Sequence, residues 1–370
     1  MSCSPLSGGW DIHGAIISVR PNRGNDPASA VFARNADPHD TLMDALSAVL
    51  HAVQLNGAVF LDAKFSAPWA LISQQEQGLC AAYLPPADRV VSFHLVTHGR
   101  RRAMLPGDPE TAVQVDAGDM LVVPRGEAHI MASALDLPPL PAAPLLADKV
   151  EAATGDVMRL DHGGGGEATQ ILCGFLAVQD VSRNPLLAAL PRLFTVGMRE
   201  SNAAWIESSM RFAASEAGGS RPGGATVLAK LSELLFVEAI RLYIDLLPGD
   251  QKGWLGGLRD HHVARVLALM HERPAHPWTV DDLAQRAGVS RSVLAQRFGD
   301  LLGVPPMQYL AHWRLQLAAQ RLRAGNQPLA AIAEQVGYDS EAAFSRAFKR
   351  EFGQPPATWR RHDSLRRGAR

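Results

Sequence analysis

The spacing of apolar residues changes character twice along this 370-residue chain. In "DPHDTLMDALSAVLHAV" (37–53), Leu42, Leu46, Val49, Leu50 and Val53 recur at helical spacing behind Asp40, a good N-cap, so a helix is predicted. From Asn56 the apolar runs become short: "GAVFLDAKF", "WALISQ", "LCAAYLP", "VVSFHLVTHG", "RRAMLPG", "AVQVDAGDMLVVPRGEAHIMAS" and "TQILCGFLAV", broken by Gly, Pro, Asp and Asn. Short strands in such number predict a β-barrel or sandwich. Beyond "CGFLAVQD" helical spacing returns, in "NPLLAALPRLFTV", in 202–217 and above all in 225–247. In that last stretch Leu228, Leu231, Leu234, Leu235, Val237, Ala239, Leu242 and Ile244 exceed what one core face needs. Packing against the strands is one reading of the surplus.

Four stretches carry no such period. Residues 1–39, rich in Ser, Gly, Asn and Pro, are expected to be a disordered extension. "LDLPPLPAAPLL" (135–146) reads as a loop or strap, and "HGGGGEATQ" (162–170) as a hairpin or loop. A phosphate cradle would need a following helix that begins with Lys and Ser or Thr. "PGDQKGWLGG" (248–257) is Gly-rich and reads as an interdomain linker.

Past that linker the chain contains one device twice. "LAQRAGVSRSVLAQRFGDLLGVPPMQYL" (283–310) is answered by "IAEQVGYDSEAAFSRAFKREFGQPPATW" (332–359). Leu283, Ala284, Ala287 and Gly288 fall on Ile332, Ala333, Val336 and Gly337. Ser290, Leu294, Phe298, Gly303, Pro305 and Pro306 fall on Ser340, Phe344, Phe348, Gly353, Pro355 and Pro356 with one extra residue in the turn. Each copy has the parts of a helix-turn-helix. A small residue allows close helix approach, a Gly serves the turn, a Ser caps the next helix, and an i, i+4 apolar pair faces inward. Between the copies, Pro305 to Arg323 predicts a helix of about 28 Å at 1.5 Å per residue. That length approaches one turn of B-DNA, about 34 Å.

This stretch resembles the DNA-binding domain of the AraC/XylS family of transcriptional regulators, over roughly 260–362. The resemblance implies base-facing positions at Ser292, Ala295 and Gln296 in the first recognition helix and at Arg346 in the second. Ser340, Glu341 and Ser345 share the second exposed face, and Arg291, Arg297, Lys349, Arg350 and Arg360 suit phosphate contact. Gln can pair bidentately with adenine and Arg with guanine; Ala295 can offer only a methyl contact.

Charge supports a nucleic-acid partner once it is divided. The whole chain is at −1, but from Asp260 to Arg370 there are 16 Lys and Arg against 10 Asp and Glu. Cys3, Cys80 and Cys173 are too few and scattered for a disulfide framework, which suits a reducing cytoplasm. No secretory signal and no membrane span are expected, since no apolar run approaches 18 residues.

Within the strand region, Gly118, Asp119, Pro124, Gly126 and His129 form G-D-x-x-x-x-P-x-G-x-x-H. This resembles the second signature motif of the cupins, and the region around 40–200 resembles the cupin-type sensor domain of the same regulators. The first cupin motif would lie at "SFHLVTHG", which keeps His94 without a His-x-His pair or a nearby Glu. His94 and His129 are therefore effector-pocket residues or packed core residues, or metal ligands with Cys173 or His162 as third member; the incomplete set disfavours the metal. No cofactor is expected.

The fold class read from these signals is multidomain: a cupin-like N-terminal β-barrel with flanking helices, and an all-α C-terminal domain with two helix-turn-helix motifs on a linking helix. The expected boundaries are 1–39 extension, 40–200 barrel, 201–247 helical dimerisation or packing segment, 248–259 linker, 260–362 DNA-binding domain and 363–370 basic tail. The expected function is a cytoplasmic one-component regulator rather than an enzyme, with activation the expected sign. Its expected partners are double-stranded promoter DNA, a small-molecule effector, a second copy in a homodimer, and RNA polymerase. A metal-dependent cupin enzyme fused to a DNA-binding domain, and a ligand-independent DNA binder, are the other readings.

Overall fold

The strand Arg89–His98 is buried along seven consecutive residues, because apolar layers press on both its faces. The computed structural model describes residues 44–52, 55–73, 89–150, 157–178, 184–198, 208–209, 212 and 223–368. The extension 1–39, the cap Asp40, the run at 79–85, Cys3, Cys80 and most of 202–217 lie outside the described residues.

In chain order the strands are β1 (Leu55–Ser66), β2 (Ala70–Ser73), β3 (Arg89–His98), β4 (Arg100–Leu105), β5 (Asp108–Asp116), β6 (Asp119–Val123), β7 (His129–Ala132), β8 (Leu140–Pro141), β9 (Val157–Gly163), β10 (Ala168–Val178) and β11 (Phe194–Gly197). One sheet has the order β11-β6-β3-β10-β1-β9 and the other β5-β4-β7-β2-β8. They face each other across Leu61, Phe65, Val96, Leu121, Ile171 and Cys173 from the first, and Leu71, Ala103, Leu105, Val113 and Met131 from the second. The expected barrel is thus a two-sheet sandwich, closed by helix α2 (Ala142–Val150), while α1 (Ala45–Ala52) and α3 (Pro185–Ala189) join the core outside the first sheet. The Pro-rich stretch read as a loop supplies β8 and the start of α2.

The Gly-rich 162–170 does not close a hairpin, because β1 lies between β9 and β10. It wraps the end of β1, with Gly164 and Gly166 donating to the Ser66 and Ala67 carbonyls at 2.8 Å each. A Cβ on Gly163 would come within 2.0 Å of the Ser66 carbonyl oxygen, so close backbone approach explains the glycines.

Helix α4 (Gly224–Leu246) lies on the outer face of the first sheet. Leu235, Phe236, Ala239, Ile240, Tyr243 and Ile244 share one core with Phe93, Leu95, Val122 and Phe194. Intramolecular packing therefore uses most of its apolar surplus, while Leu234 and Val227 stay exposed.

That same core continues without a break into the C-terminal helices. Helices α5 (Trp254–Arg259), α6 (His261–Glu272), α7 (Val280–Arg286), α8 (Arg291–Leu302) and α9 (Pro306–Ala324) contribute Trp254, Val266, Leu267, Leu283, Phe298 and Trp313 to it. The expected linker 248–259 is corrected here, because α5 is a buried helix. A Cβ on Gly256 would meet the Gln251 carbonyl oxygen at 2.0 Å, and one on Gly257 would meet Leu302 Cδ1 at 2.9 Å. These glycines permit packing rather than flexibility. The Trp254 indole donates to Tyr309 Oη at 2.9 Å, and Tyr309 Oη lies 2.8 Å from His271 Nε2, pinning α5 to α6 and α9.

The second repeat, α10 (Leu329–Gln335), α11 (Glu341–Phe352) and α12 (Pro356–Gly368), has its own core of Leu315, Ala319, Leu322, Ile332, Val336, Phe344 and Phe348. Residues 363–368 of the expected basic tail continue α12 as helix. No helix among the described residues is long and apolar enough to cross a membrane.

Candidate nucleic-acid interface and the barrel interior

Both recognition helices start where a serine hydroxyl replaces a missing backbone partner. Ser290 Oγ accepts from Val293 N at 3.3 Å, and Ser340 Oγ accepts from Ala343 N at 3.2 Å. Such a cap contributes about 1 kcal/mol. Thr279 and Asp282 form a full capping box at the start of α7. Gly288 and Gly337 turn the chain at φ +71° and +86°. Leu294 and Phe298 are buried on α8, as are Phe344 and Phe348 on α11.

The helical period then decides what faces solvent. Arg291, Ser292, Ala295, Gln296 and Arg297 are exposed on α8; Glu341, Arg346, Lys349 and Arg350 are exposed on α11, with Ser340 before them and Ser345 half-buried. Val293, at 40% exposure, adds an apolar group that the sequence reading left out. Arg291 pairs with Asp281 at 2.9 Å and Arg297 with Asp260 at 2.8 Å. Exposed pairs of this kind contribute about 0–1 kcal/mol, so a phosphate can compete for these guanidinium groups. Arg360, expected at a phosphate, is half-buried and donates from Nη2 to the Gln327 carbonyl at 2.7 Å, which ties α12 to the start of the second motif.

Arg314 was not singled out by sequence. On α9 it donates from Nε to the Pro274 carbonyl at 2.6 Å, from Nη2 to His276 at 2.8 Å and from Nη1 to Gly337 at 3.0 Å. One side chain therefore spans both motifs. His262 is half-buried and lies 2.7 Å through Nδ1 from the Ala287 carbonyl at the end of α7.

Inside the sandwich, the G-D-x-x-x-x-P-x-G-x-x-H segment builds the turn that delivers His129. Asp119 accepts from Asp116 N at 3.0 Å, and Gly126 at φ +62° sits so close to the Val90 carbonyl that a Cβ would come within 2.3 Å. His129 then points inward, fully buried, with Nε2 2.8 Å from His94 Nε2. Its Nδ1 faces the Glu127 carbonyl at 3.0 Å and Ser73 Oγ at 2.8 Å. A carbonyl can only accept, so the network assigns the His129 proton to Nδ1 and makes His94 Nε2 the donor between the rings. Burial pushes the His129 pKa down to about 4 and holds His94 well below its usual range, with His129 and Arg101 adding repulsion there. Both rings are neutral at pH 7.

Leu121, His94, Cys173 and Leu61 are register partners on neighbouring strands, which brings the thiol beside His94. His162 lies half-buried on edge strand β9. No three of His, Cys, Asp or Glu converge on a metal-sized point among the described residues. Arg101 of β4 is fully buried beside this pair and donates from Nη2 to the His94 carbonyl at 3.3 Å. Sequence alternation in "RRRAML" could not select which arginine turns inward.

Comparisons with known proteins come from both halves. A family model described as Cupin matches residues 44–245, and one described as Helix-turn-helix domain matches residues 283–362. The chain is 34% identical over 280 residues to a putative AraC-like transcription regulator of Streptomyces lividans, covering 75% of this chain and 89% of that relative. It is 30% identical over 328 residues to the HTH-type transcriptional regulator AlkR of Acinetobacter baylyi, covering 86% and 99%. It is 33% identical over 272 residues to the RCS-specific HTH-type transcriptional activator RclR of Escherichia coli, covering 73% and 84%.

Proposed function

The chain belongs to the AraC family of DNA-binding transcriptional regulators with an N-terminal cupin region, and from that premise we propose that a small molecule in the sandwich controls how its two recognition helices engage promoter DNA. It is a regulator rather than an enzyme. One observation carries the DNA-contact assignment: two exposed polar faces, each opposite a buried aromatic or aliphatic pair, are joined by a 19-residue helix. At 1.5 Å per residue that helix is about 28 Å long, so α8 and α11 can enter successive major grooves on one side of the duplex. Ser292, Ala295, Gln296, Ser345 and Arg346 are assigned to bases. Arg291, Arg297, Lys349 and Arg350 are assigned to phosphates, while Glu341 and Ser340 lie at the groove edge.

The controlling effect is supported by the shared core. Alternate residues of β3 face opposite ways: His94 lines the sandwich interior, and Phe93 and Leu95 enter the core that reaches α6 and α8. A ligand that prefers one packing of β3 shifts DNA affinity by its own differential affinity for the two arrangements. Activation is the proposed sign, in line with the printed name of the E. coli relative. We assign a homodimer through the exposed Leu234 and Val227 side of α4, action in the cytoplasm where promoter DNA lies, and contact with RNA polymerase at the promoter.

Binding of full-length protein to promoter duplexes across a salt series tests this reading. With four phosphate contacts, log affinity should fall against log salt with a slope of about −3 to −4. A salt-independent affinity would contradict it.

A further inference from the structure

Arg101 heads the fully buried side chains among the described residues, and no acidic partner pairs with it there. Its neighbours are the His94 carbonyl, which accepts from Nη2 at 3.3 Å, and Met131 Sδ, which faces Nη1. Among the described residues Nε has no hydrogen-bond partner. A guanidinium group carries five N–H donors and remains charged at neutral pH. Burial lowers the Arg101 pKa to about 10, still far above neutrality. The Cys173 side chain stands near and favours the charge, but it supplies no carboxylate for the guanidinium fork. A buried charge without a counter-ion is unfavourable unless something else in its environment supplies one.

The surrounding groups point the same way. With His94 Nε2 donating to His129, His94 Nδ1 is a bare acceptor, fully buried and without a partner. The indole Nε1 of Trp69, on the same core, is a donor without a partner. The sandwich interior therefore holds unmet donors on Arg101 and Trp69 and one unmet acceptor on His94, among apolar side chains.

We propose that the effector is a small organic acid whose carboxylate is held by the Arg101 fork inside the sandwich. The inference rests on the effector reading above and narrows it to a chemical class. The planar guanidinium matches a carboxylate in two parallel hydrogen bonds, and the apolar side chains of the surrounding core suit an aromatic or aliphatic remainder. Binding would supply the missing counter-charge on β4, directly against the backbone of β3.

The test is thermal unfolding of the full-length protein with sodium benzoate and sodium octanoate, against benzamide and octanamide and sodium chloride at equal ionic strength. At a hundredfold excess over the apparent Kd, the bound carboxylate should raise the Tm of the wild type by roughly 3–4 °C. Arg101→Met should abolish that shift while leaving basal Tm equal or higher, because it removes an uncompensated charge. Arg101→Lys should retain a smaller shift, and Cys173→Ser should retain all of it. The proposal is overturned if neither carboxylate exceeds chloride in the wild type, or if the shift survives Arg101→Met. If the amides raise Tm equally in both proteins, the effector reading stands and the anionic class falls. If neither class changes Tm or promoter binding in any variant, both fall.

Discussion

Arg314 Nη1 donates to the Gly337 carbonyl at 3.0 Å, across the boundary between the two helix-turn-helix motifs. The same guanidinium holds the Pro274 and His276 carbonyls ahead of the first motif. The two motifs have separate cores, so this clamp and the α9 backbone set their relative orientation. Arg314→Met should lower stability by about 1.5–3 kcal/mol, the range for hydrogen bonds to a charged group. It should also relax the required spacing between half-sites. Affinity for duplexes with one or two base pairs added between them checks this; an unchanged spacing preference would remove the clamp from the account.

On α11, Arg346 is exposed one turn after the Ser340 cap, where a side chain can reach a base edge. Arg346→Ala should cost about 1–3 kcal/mol and relax preference at a single position. Lys349→Ala should weaken all sequences alike and reduce the salt slope by about 1. Matching profiles for the two variants would merge the roles that the geometry separates.

Three buried imidazoles fix the pH response. His94 is held well below its usual range, His129 lies at about 4 and His271 at about 3, each mainly through burial. Each is neutral in the fold but takes up a proton near pH 6.5 when unfolded. Their stabilising effect is fully present above pH 6.5 and is lost as pH falls from there towards 4. The loss is about 1.4 kcal/mol per pH unit for each group. Urea unfolding between pH 7.5 and 5 should show that slope, and His271→Gln should remove about a third of it. A flat stability profile over this range would contradict the assigned protonation states.

Gly174 and Phe93 are opposed on β10 and β3, and the ring covers the glycine. A Cβ at 174 would lie 2.0 Å from Phe93 Cζ. Gly174→Ala should push the ring into the core shared with the C-terminal helices and cost about 1–3 kcal/mol, as overpacking does. Denaturant midpoints check the size. Promoter affinity should fall with it, since the displaced ring belongs to the core that reaches α8.

Features that depend on local spacing were legible before any coordinates. Ser290, Ser340, Thr279 and the i, i+4 pairs announce their helices because capping and amphipathicity act within a turn or two. His129 was legible for a similar reason, since the turn that aims it is encoded within a dozen residues. Arg314 was not, because its partners lie 40, 23 and 38 residues away; Arg101 was not, because it stands in a run of three arginines. Gly256 and Gly257 misled, since composition suggests flexibility where the packing needs room for Gln251 and Leu302. The contact of Arg360 with the Gln327 carbonyl, 33 residues away, likewise lies beyond the reach of local spacing.

The central claim is that α8 and α11 read two adjacent major grooves from one face of the duplex. Selection of bound DNA from a random duplex pool by the full-length protein tests it most directly, run in parallel with Gln296→Ala and Arg346→Ala. The account predicts a two-part motif with its parts separated by about one helical turn, each variant losing preference in a different part. A single contiguous half-site, or loss of the same positions in both variants, would contradict it.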